Sequence, residues 1–457
     1  MYRVAGRALA IWVLIAVLLG GLVFFLYEYG TKAEDWVMET GNPNVYDSNG
    51  ISLGTVVDRE GVLLMEFQNG RTYHPDLFVR MSTLHWLGDR SGNIASKVLD
   101  CYQQELADYD FVNGLYEYGA NGGQLTLTLS ARVQAAALEA LGDYKGTVAV
   151  YNYRTGELLC AVTTPTFDPE NVPDIAGDTS GSYEGVYLNR FLQASYIPGS
   201  IFKIVTTAAA LEQIEDIQNR SFTCTGTYSF GTDRVTCERA HGTLKMKDAM
   251  KSSCNCIYAQ IALLLGGENM EHYVTQFGVT DRIGFDGVSS IAGNYQAAGA
   301  ADVNLAWSAV GQYRDQINPC AFLTFVGAIA NGGQGVNPYV VSSVGAGNTK
   351  TYIAQTTTRQ RIMSEETAAV LREFMENNVI NNYGAHNFPG ITVCAKSGTG
   401  EVGGGQRPNA MFTGFVADEA YPLAFLVAVE NAGYGRAVCV PILVPVLEAC
   451  IAVLNAG

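Results

Sequence analysis

Apolar and polar positions along the chain fall into unlike stretches. From Ala8 to Tyr27 about 20 residues carry no charge, the length that crosses a bilayer as a helix. Arg3 and Arg7 precede this run, and Glu28, Glu34 and Asp35 follow it. Basic flanks stay in the cytoplasm, so the N-terminus is expected inside and everything after Tyr29 exported. The run ends in bulky Val23-Phe-Phe-Leu-Tyr27 rather than the small residues that close a cleaved signal peptide, so it reads as an uncleaved anchor. From Asn42 to about Leu125, short apolar runs alternate with the turn signals Asp47-Ser-Asn-Gly50, Gln68-Asn-Gly70 and Asn121-Gly-Gly123, as in a small mixed α+β stalk. His85 and Asp89-Arg90 read there as satisfied surface polar groups.

At Leu125 the pattern changes. Leu125-Thr-Leu-Thr-Leu129 alternates as a strand, and Ser130 caps an Ala-rich helix that runs to Gly142. Gly146 to Tyr153 and Glu157 to Thr164 are two strand-like runs joined by Arg154-Thr-Gly156, as in a hairpin. The middle is helical, over Ile201 to Leu211, Leu244 to Lys251, Cys256 to Leu265, and Asn304 to Ala330 with a break near Pro319. Apolar runs at Ile391 to Ala395, Met411 to Val416 and Leu423 to Glu430 return to strands, and Val440 to Leu454 closes as a helix. Strands early and late with helices between predict an α/β domain, its one sheet assembled from both ends around a helical insertion. The chain divides into a tail at 1–7, an anchor at 8–29, an extracytoplasmic stalk or pedestal at 30–124 and the main domain at 125–457.

Composition narrows the function. With 48% hydrophobic residues and 50 glycines in 457 residues, the protein is ordered and loop-rich. Its formal net charge of -16 excludes a general affinity for nucleic acid. Ten cysteines in an exported chain invite disulfides, but only Cys224 and Cys237 bracket a local hairpin tip, Tyr228-Ser-Phe-Gly231. A bridge is expected between them. Cys160, Cys394 and Cys450 lie in apolar runs and read as small core residues. With no C-x-x-C and no H-E-x-x-H, neither a metal nor a cofactor is expected.

The chemistry centres on Tyr196-Ile-Pro-Gly-Ser-Ile-Phe-Lys203. Pro198 and Gly199 end a loop and place Ser200 at a helix start, where residues three apart share a face, so the Lys203 amine can reach the Ser200 hydroxyl. No other serine has a lysine at that spacing. Lys203 lies in an almost wholly apolar helix, and burial lowers a lysine pKa towards a usable base. Between two helices stands Ser253-Cys-Asn255, whose hydroxyl and amide can enter one cleft or simply cap a helix. The same pattern recurs at Ser91 and Asn93. At the end of a strand, Lys396-Ser-Gly-Thr399 offers a cation and hydroxyls for a carboxylate, with a glycine beside which a substrate backbone can lie.

In this order, Ser-x-x-Lys, Ser-x-Asn and Lys-[Ser/Thr]-Gly resemble the motif set of the active-site serine penicillin-recognising enzymes. Asn189-Arg190, Gly311-Gln312, Asn318-Pro319, Thr155-Gly-Glu157 and Pro165-Thr-Phe-Asp-Pro169 extend the resemblance, from Leu125 to the C-terminus, to class B penicillin-binding proteins. That resemblance implies a serine β-lactamase-like fold, an antiparallel sheet flanked by helices with a helical subdomain. It further implies a peptidoglycan D,D-transpeptidase in the cell membrane that binds stem peptides and lipid-linked precursor and is acylated by β-lactams. Ser200 would be the nucleophile and Lys203 its base. Ser253 would relay a proton, Asn255 would hold Lys203 and the substrate amide, and Lys396, Ser397, Gly398 and Thr399 would form the carboxylate-binding strand. The backbone N–H groups of Ser200 and Thr399 would form the oxyanion hole. Ser397 stands where the family commonly has threonine, which keeps the hydroxyl. The family habit also implies, as partner, a multi-spanning glycosyltransferase of the shape, elongation, division and sporulation group. A D,D-carboxypeptidase or β-lactamase shares the motifs, and a non-catalytic wall scaffold or sensor is the alternative of another class.

Overall fold

The computed structural model describes residues 2–37, 54–67, 71–94, 97–107, 122–346 and 349–456, with 39, 42, 46–47 and 50–51. The turn signals at 48–49, 68–70 and 121 lie outside the described residues. Tyr2–Val37 is one helix, longer at both ends than its apolar run. Beyond that run a Glu28–Lys32 pair at 2.8 Å, one helical turn apart, continues it. Its apolar side chains from Leu9 to Tyr27 are exposed, and the helix is long and apolar enough to cross a membrane.

Five strands build the central sheet in the order Val393–Gly400, Asn409–Val416, Leu423–Val429, Gly146–Asn152 and Leu158–Thr164, every pairing antiparallel. The chain's early hairpin thus completes a sheet begun by its last three strands. Both faces are covered, which explains the unbroken apolar runs. Along Leu423–Val429, Leu423, Phe425, Val427 and Val429 enter one core while Ala424, Leu426 and Ala428 enter the other. Ala131–Leu141 and Gly435–Ala456 cover the first face, and Pro319–Ala330 packs on the second. Gly435–Ala456 is also long and apolar enough to span a bilayer, but it buries Cys439, Leu443, Val446, Leu447 and Cys450 against the sheet. It is a core helix.

The break expected near Pro319 divides the helical stretch over Asn304 to Ala330 into two helices, Asp302–Ser308 and Pro319–Ala330. Asn318 caps the second, its side chain accepting from Cys320 and Ala321 N–H, with proline in the first turn where a missing donor costs nothing.

Among the described residues a second sheet runs Thr349–Ile353, Val341–Ala346, Gln124–Leu127, Thr55–Val57, Leu63–Phe67 and Arg71–Tyr73. Gln124–Leu127 pairs parallel with Thr55–Val57 and antiparallel with Val341–Ala346, so strands from residues 55–73 and the hairpin 341–353 share one sheet. Arg80 adds a fork to Asp168, both nitrogens at 2.7 Å, tying the Leu77–Leu87 helix to the Pro165–Pro169 loop. His85 and Asp89, expected at the surface, are buried. His85 meets the Val186 carbonyl at 2.8 Å and Asp89 accepts from Ile94 N–H at 2.7 Å, so both serve the packing.

Candidate active site

The expected helix at Ser200 begins as a 3-10 turn, Gly199–Phe202, which passes into the α-helix Lys203–Gln213. In a 3-10 turn residues three apart eclipse, which stacks Lys203 over Ser200. Gly199 has φ +54°, its N–H donates to the Gly311 carbonyl at 2.8 Å, and a Cβ there would strike the Thr399 carbonyl. Gly398 faces this turn from the other side. A Cβ on it would stand 2.7 Å from the Pro198 carbonyl and 2.9 Å from Ile201 Cγ2. The glycine expected to admit a substrate backbone therefore admits the nucleophile's own turn.

Lys203 Nζ lies 3.0 Å from Ser200 Oγ, 2.7 Å from the Ser253 carbonyl, 3.0 Å from Ser253 Oγ and 2.7 Å from Asn255 Oδ1. Asn255 Nδ2 donates to the Thr236 carbonyl at 2.8 Å, which fixes the amide so that its oxygen faces the lysine. Two of the four partners are acceptors only. A neutral amine donates its two hydrogens to them and keeps its lone pair for a hydroxyl proton. Burial, then the nearby Lys396 charge, push the Lys203 pKa well below its usual value. Ser253 holds φ +51°, a left-handed conformation uncommon for a residue with a Cβ, and in it presents both carbonyl and hydroxyl to Lys203.

Ser253 Oγ also meets Lys396 Nζ at 3.2 Å, bridging the two lysines. Lys396 lies on the sheet's edge strand and donates to the Ser397 carbonyl at 3.0 Å; burial lowers its pKa to about 7. Tyr383, which no local pattern singles out, is buried behind this strand. Its hydroxyl accepts from Ser397 N–H at 3.0 Å and meets Ser397 Oγ at 3.1 Å and Lys396 Nζ at 3.5 Å. Since Ser397 N–H points away from the neighbouring strand, the period of two sends Thr399 N–H the same way, to the open edge. The Thr399 carbonyl accepts from Gln312 Nε2 at 3.4 Å, on the side of the nucleophile turn.

The structure thus gathers Ser200, Lys203, Ser253, Asn255, Lys396 and Ser397 in one contact network, with Thr399 beside the nucleophile turn. A serine hydroxyl with an amine lone pair as proton acceptor and a second cation alongside is equipped for nucleophilic acyl transfer. The duplicate Ser91-x-Asn93 is remote in kind, its Asn93 donating to Asp89 in a loop. Cys224 and Cys237 are not bridged as expected. Their sulfurs stand 3.8 Å apart, and every cysteine is a free thiol among the described residues. Cys224, Cys237, His241 and Cys254 instead bring four donor atoms within 4.8 Å of one another.

Residues 146–448 match the family model described as the penicillin binding protein transpeptidase domain. The peptidoglycan D,D-transpeptidase PbpA of Mycobacterium tuberculosis is 28% identical over 368 residues, 72% of this chain and 73% of its own. Stage V sporulation protein D of Bacillus subtilis is 29% identical, covering 68% of this chain and 50% of its own. The crystal structure of the Mycobacterium tuberculosis PBPA superposes with TM-score 0.75 at 23% identity, covering 87% of this chain and 99% of that one. With the three motifs in one contact network and the model matched across the central sheet, the chain belongs to the penicillin-binding protein transpeptidase family, as a class B penicillin-binding protein.

Proposed function

We propose that this protein is a serine D,D-transpeptidase that cross-links peptidoglycan stem peptides. The carrying observation is the Lys203 amine, 3.0 Å from Ser200 Oγ and held by two obligate acceptors. Ser200 Oγ bonds to the carbonyl carbon of the penultimate D-alanine while its proton passes to Lys203. The backbone N–H groups of Ser200 and Thr399 hold the oxyanion, donors each worth about 3 kcal/mol in such sites. The C–N bond then breaks, and the departing D-alanine amine takes a proton through Ser253 Oγ, leaving an acyl ester on Ser200. The amine of a second stem peptide attacks that ester, and Ser200 recovers its proton. Lys396, with Ser397 and Thr399, receives the terminal carboxylate, and Asn255 steadies both Lys203 and the substrate amide. A β-lactam carbonyl enters the same path and stays as a slowly released ester.

The exposed apolar N-terminal helix supports residues 8–29 as a single membrane anchor. Arg3 and Arg7 on its short side support a cytoplasmic tail at 1–7, with the pedestal at 30–124 and the catalytic domain at 125–457 outside. There the domain meets lipid-linked precursor polymerised by a multi-spanning glycosyltransferase. Penicillin is the test. Intact mass should rise by one penicillin, the adduct should map to Ser200, and Ser200→Ala should carry none. A folded chain that stays unlabelled would sink the acyl-enzyme. Release of D-alanine without transfer to an added amine would make water the acceptor and the protein a carboxypeptidase.

A further inference from the structure

Cys254 separates Ser253 from Asn255, and its sulfur enters a cluster that acyl transfer does not use. Cys254 Sγ lies 3.7 Å from Cys237 Sγ, which lies 3.8 Å from Cys224 Sγ, and that sulfur lies 3.5 Å from His241 Nδ1. A disulfide requires about 2.05 Å between sulfurs, so these spacings fit no bridge. They fit a tetrahedron. With Zn–S near 2.3 Å and Zn–N near 2.0 Å, sulfurs about a zinc ion stand ~3.8 Å apart, and sulfur and nitrogen ~3.5 Å.

We propose that Cys224, Cys237, His241 and Cys254 bind one zinc ion in a closed, four-ligand structural site. Three further observations support it. Backbone N–H groups of Gly226 and Cys256 donate to Cys224 Sγ and Cys237 Sγ, each at 3.4 Å, the outer hydrogen bonds that orient thiolate ligands. The ligands sit on elements too short to hold themselves: Cys224 ends the strand Phe222–Cys224, Cys237 follows Asp233–Thr236, and His241 precedes Gly242–Leu244. Cys224 and Cys254 join the main core, but the hairpin between Cys224 and Cys237 rests on a small cluster in which only Val235, Ala259 and Ala306 are fully buried, so a metal would tie that hairpin to the core. Cys256 Sγ also lies 3.4 Å from Cys237 Sγ, but it is not among the four donors that all lie within 4.8 Å of one another, and its thiol donates to the Val235 carbonyl at 3.7 Å.

Four protein ligands leave no open position, so the ion is a clamp and not a Lewis acid. What it clamps is specific. Cys254 precedes the first residue of the Asn255–Leu265 helix, and Thr236, beside Cys237, accepts from Asn255 Nδ2. The ion would fix the loop that aims Ser253 and Asn255 at Lys203. The expectations of no metal and of a Cys224–Cys237 bridge are both replaced, because Cys224-x12-Cys237-x3-His241-x12-Cys254 becomes a site only when the intervening hairpin folds.

The full chain, purified in detergent with a mild reductant, should carry about one zinc by elemental mass spectrometry. Cobalt(II) added to the stripped chain should give thiolate charge-transfer bands and the visible absorption of a tetrahedral site. Cys237→Ser and His241→Ala should each lower zinc to about a tenth or less, while Cys256→Ser keeps it. A folded wild-type chain that takes neither zinc nor cobalt overturns the site, as does full zinc retention in Cys237→Ser. So does a Cys224–Cys237 disulfide mapped in untreated protein. If a variant does not fold, the cobalt spectrum of the wild-type chain still decides. Zinc content does not depend on acylation, so this proposal and the transpeptidase reading can fail separately.

Discussion

Two buried lysines meet at Ser253 Oγ, Lys203 at the end of the nucleophile turn and Lys396 on the edge strand, exposed by 0% and 1%. Burial lowers both pKa values, yet their partners give them opposite parts. Lys203 meets two acceptor-only groups and the Ser200 hydroxyl, an arrangement that suits a neutral amine with one lone pair to give. Lys396 meets one carbonyl and the hydroxyls of Ser253 and Tyr383, a looser set that leaves it responsive to an arriving anion. Its pKa of about 7 is set by burial alone, so a substrate carboxylate will draw it to the charged form. Lys396 in turn helps keep Lys203 neutral, since like charges within one site disfavour a second proton. Burial lowers both pKa values, and neighbours then divide the two lysines into base and cation.

The largest effect should come from the base. Lys203→Met keeps a chain of similar length but no proton acceptor, and acylation by penicillin should slow by roughly a thousandfold or more, read as adduct formation against time. Lys396→Met removes a charged hydrogen-bond donor from the carboxylate site and should cost about 2 kcal/mol, a loss of roughly thirtyfold in acylation efficiency. If the order came out reversed, the roles drawn from the partners would have to be exchanged.

A smaller and more diagnostic effect lies in the pH profile. A lysine with a lowered pKa is charged below that value and neutral above it. Acylation should therefore fall as pH rises through about 7, where free Lys396 loses its proton. Lys203 has the opposite sign, because it works when neutral, and contributes a rising limb. In Lys396→Arg, whose guanidinium does not deprotonate in this range, the falling limb should disappear. A falling limb unchanged in Lys396→Arg would assign that titration elsewhere.

How far these parts were legible in the sequence follows from how local each signal is. The strands of the central sheet show as unbroken apolar runs because both faces are buried, and Ser200 with Lys203 shows because a lysine is out of place in an apolar helix. Ser-x-Asn is cheap as a pattern, and only the fold separates Ser253-Asn255 from Ser91-Asn93. Gly398 was legible as a glycine but not for its reason, since the contact it makes is with Pro198 and Ile201, far away in sequence. The parallel pairing of Gln124–Leu127 with Thr55–Val57 is likewise a long-range choice that neither segment encodes alone. The four donors around Cys237 lie apart along the chain and meet only after a hairpin closes.

Tyr383 was the least legible part of the site, and it carries the finest test of the two-lysine division. Its ring packs edge-on against Phe412, centroids 5.3 Å apart, so Tyr383→Phe keeps the packing and removes only the hydroxyl. That hydroxyl satisfies Ser397 N–H and meets Ser397 Oγ, and leaving this half-buried donor unpaired should cost about 1 kcal/mol of stability, seen as a lower Tm. Its contact with Lys396 is the longest there, 3.5 Å, so acylation should fall less than about tenfold, and through binding more than through the rate of the bonded step. Were Tyr383→Phe as damaging as Lys396→Met, with the fall in the chemical step, the tyrosine would belong to the proton path. The edge-strand side would then be a source of protons as well as of charge, and its difference from the Lys203 side would narrow accordingly.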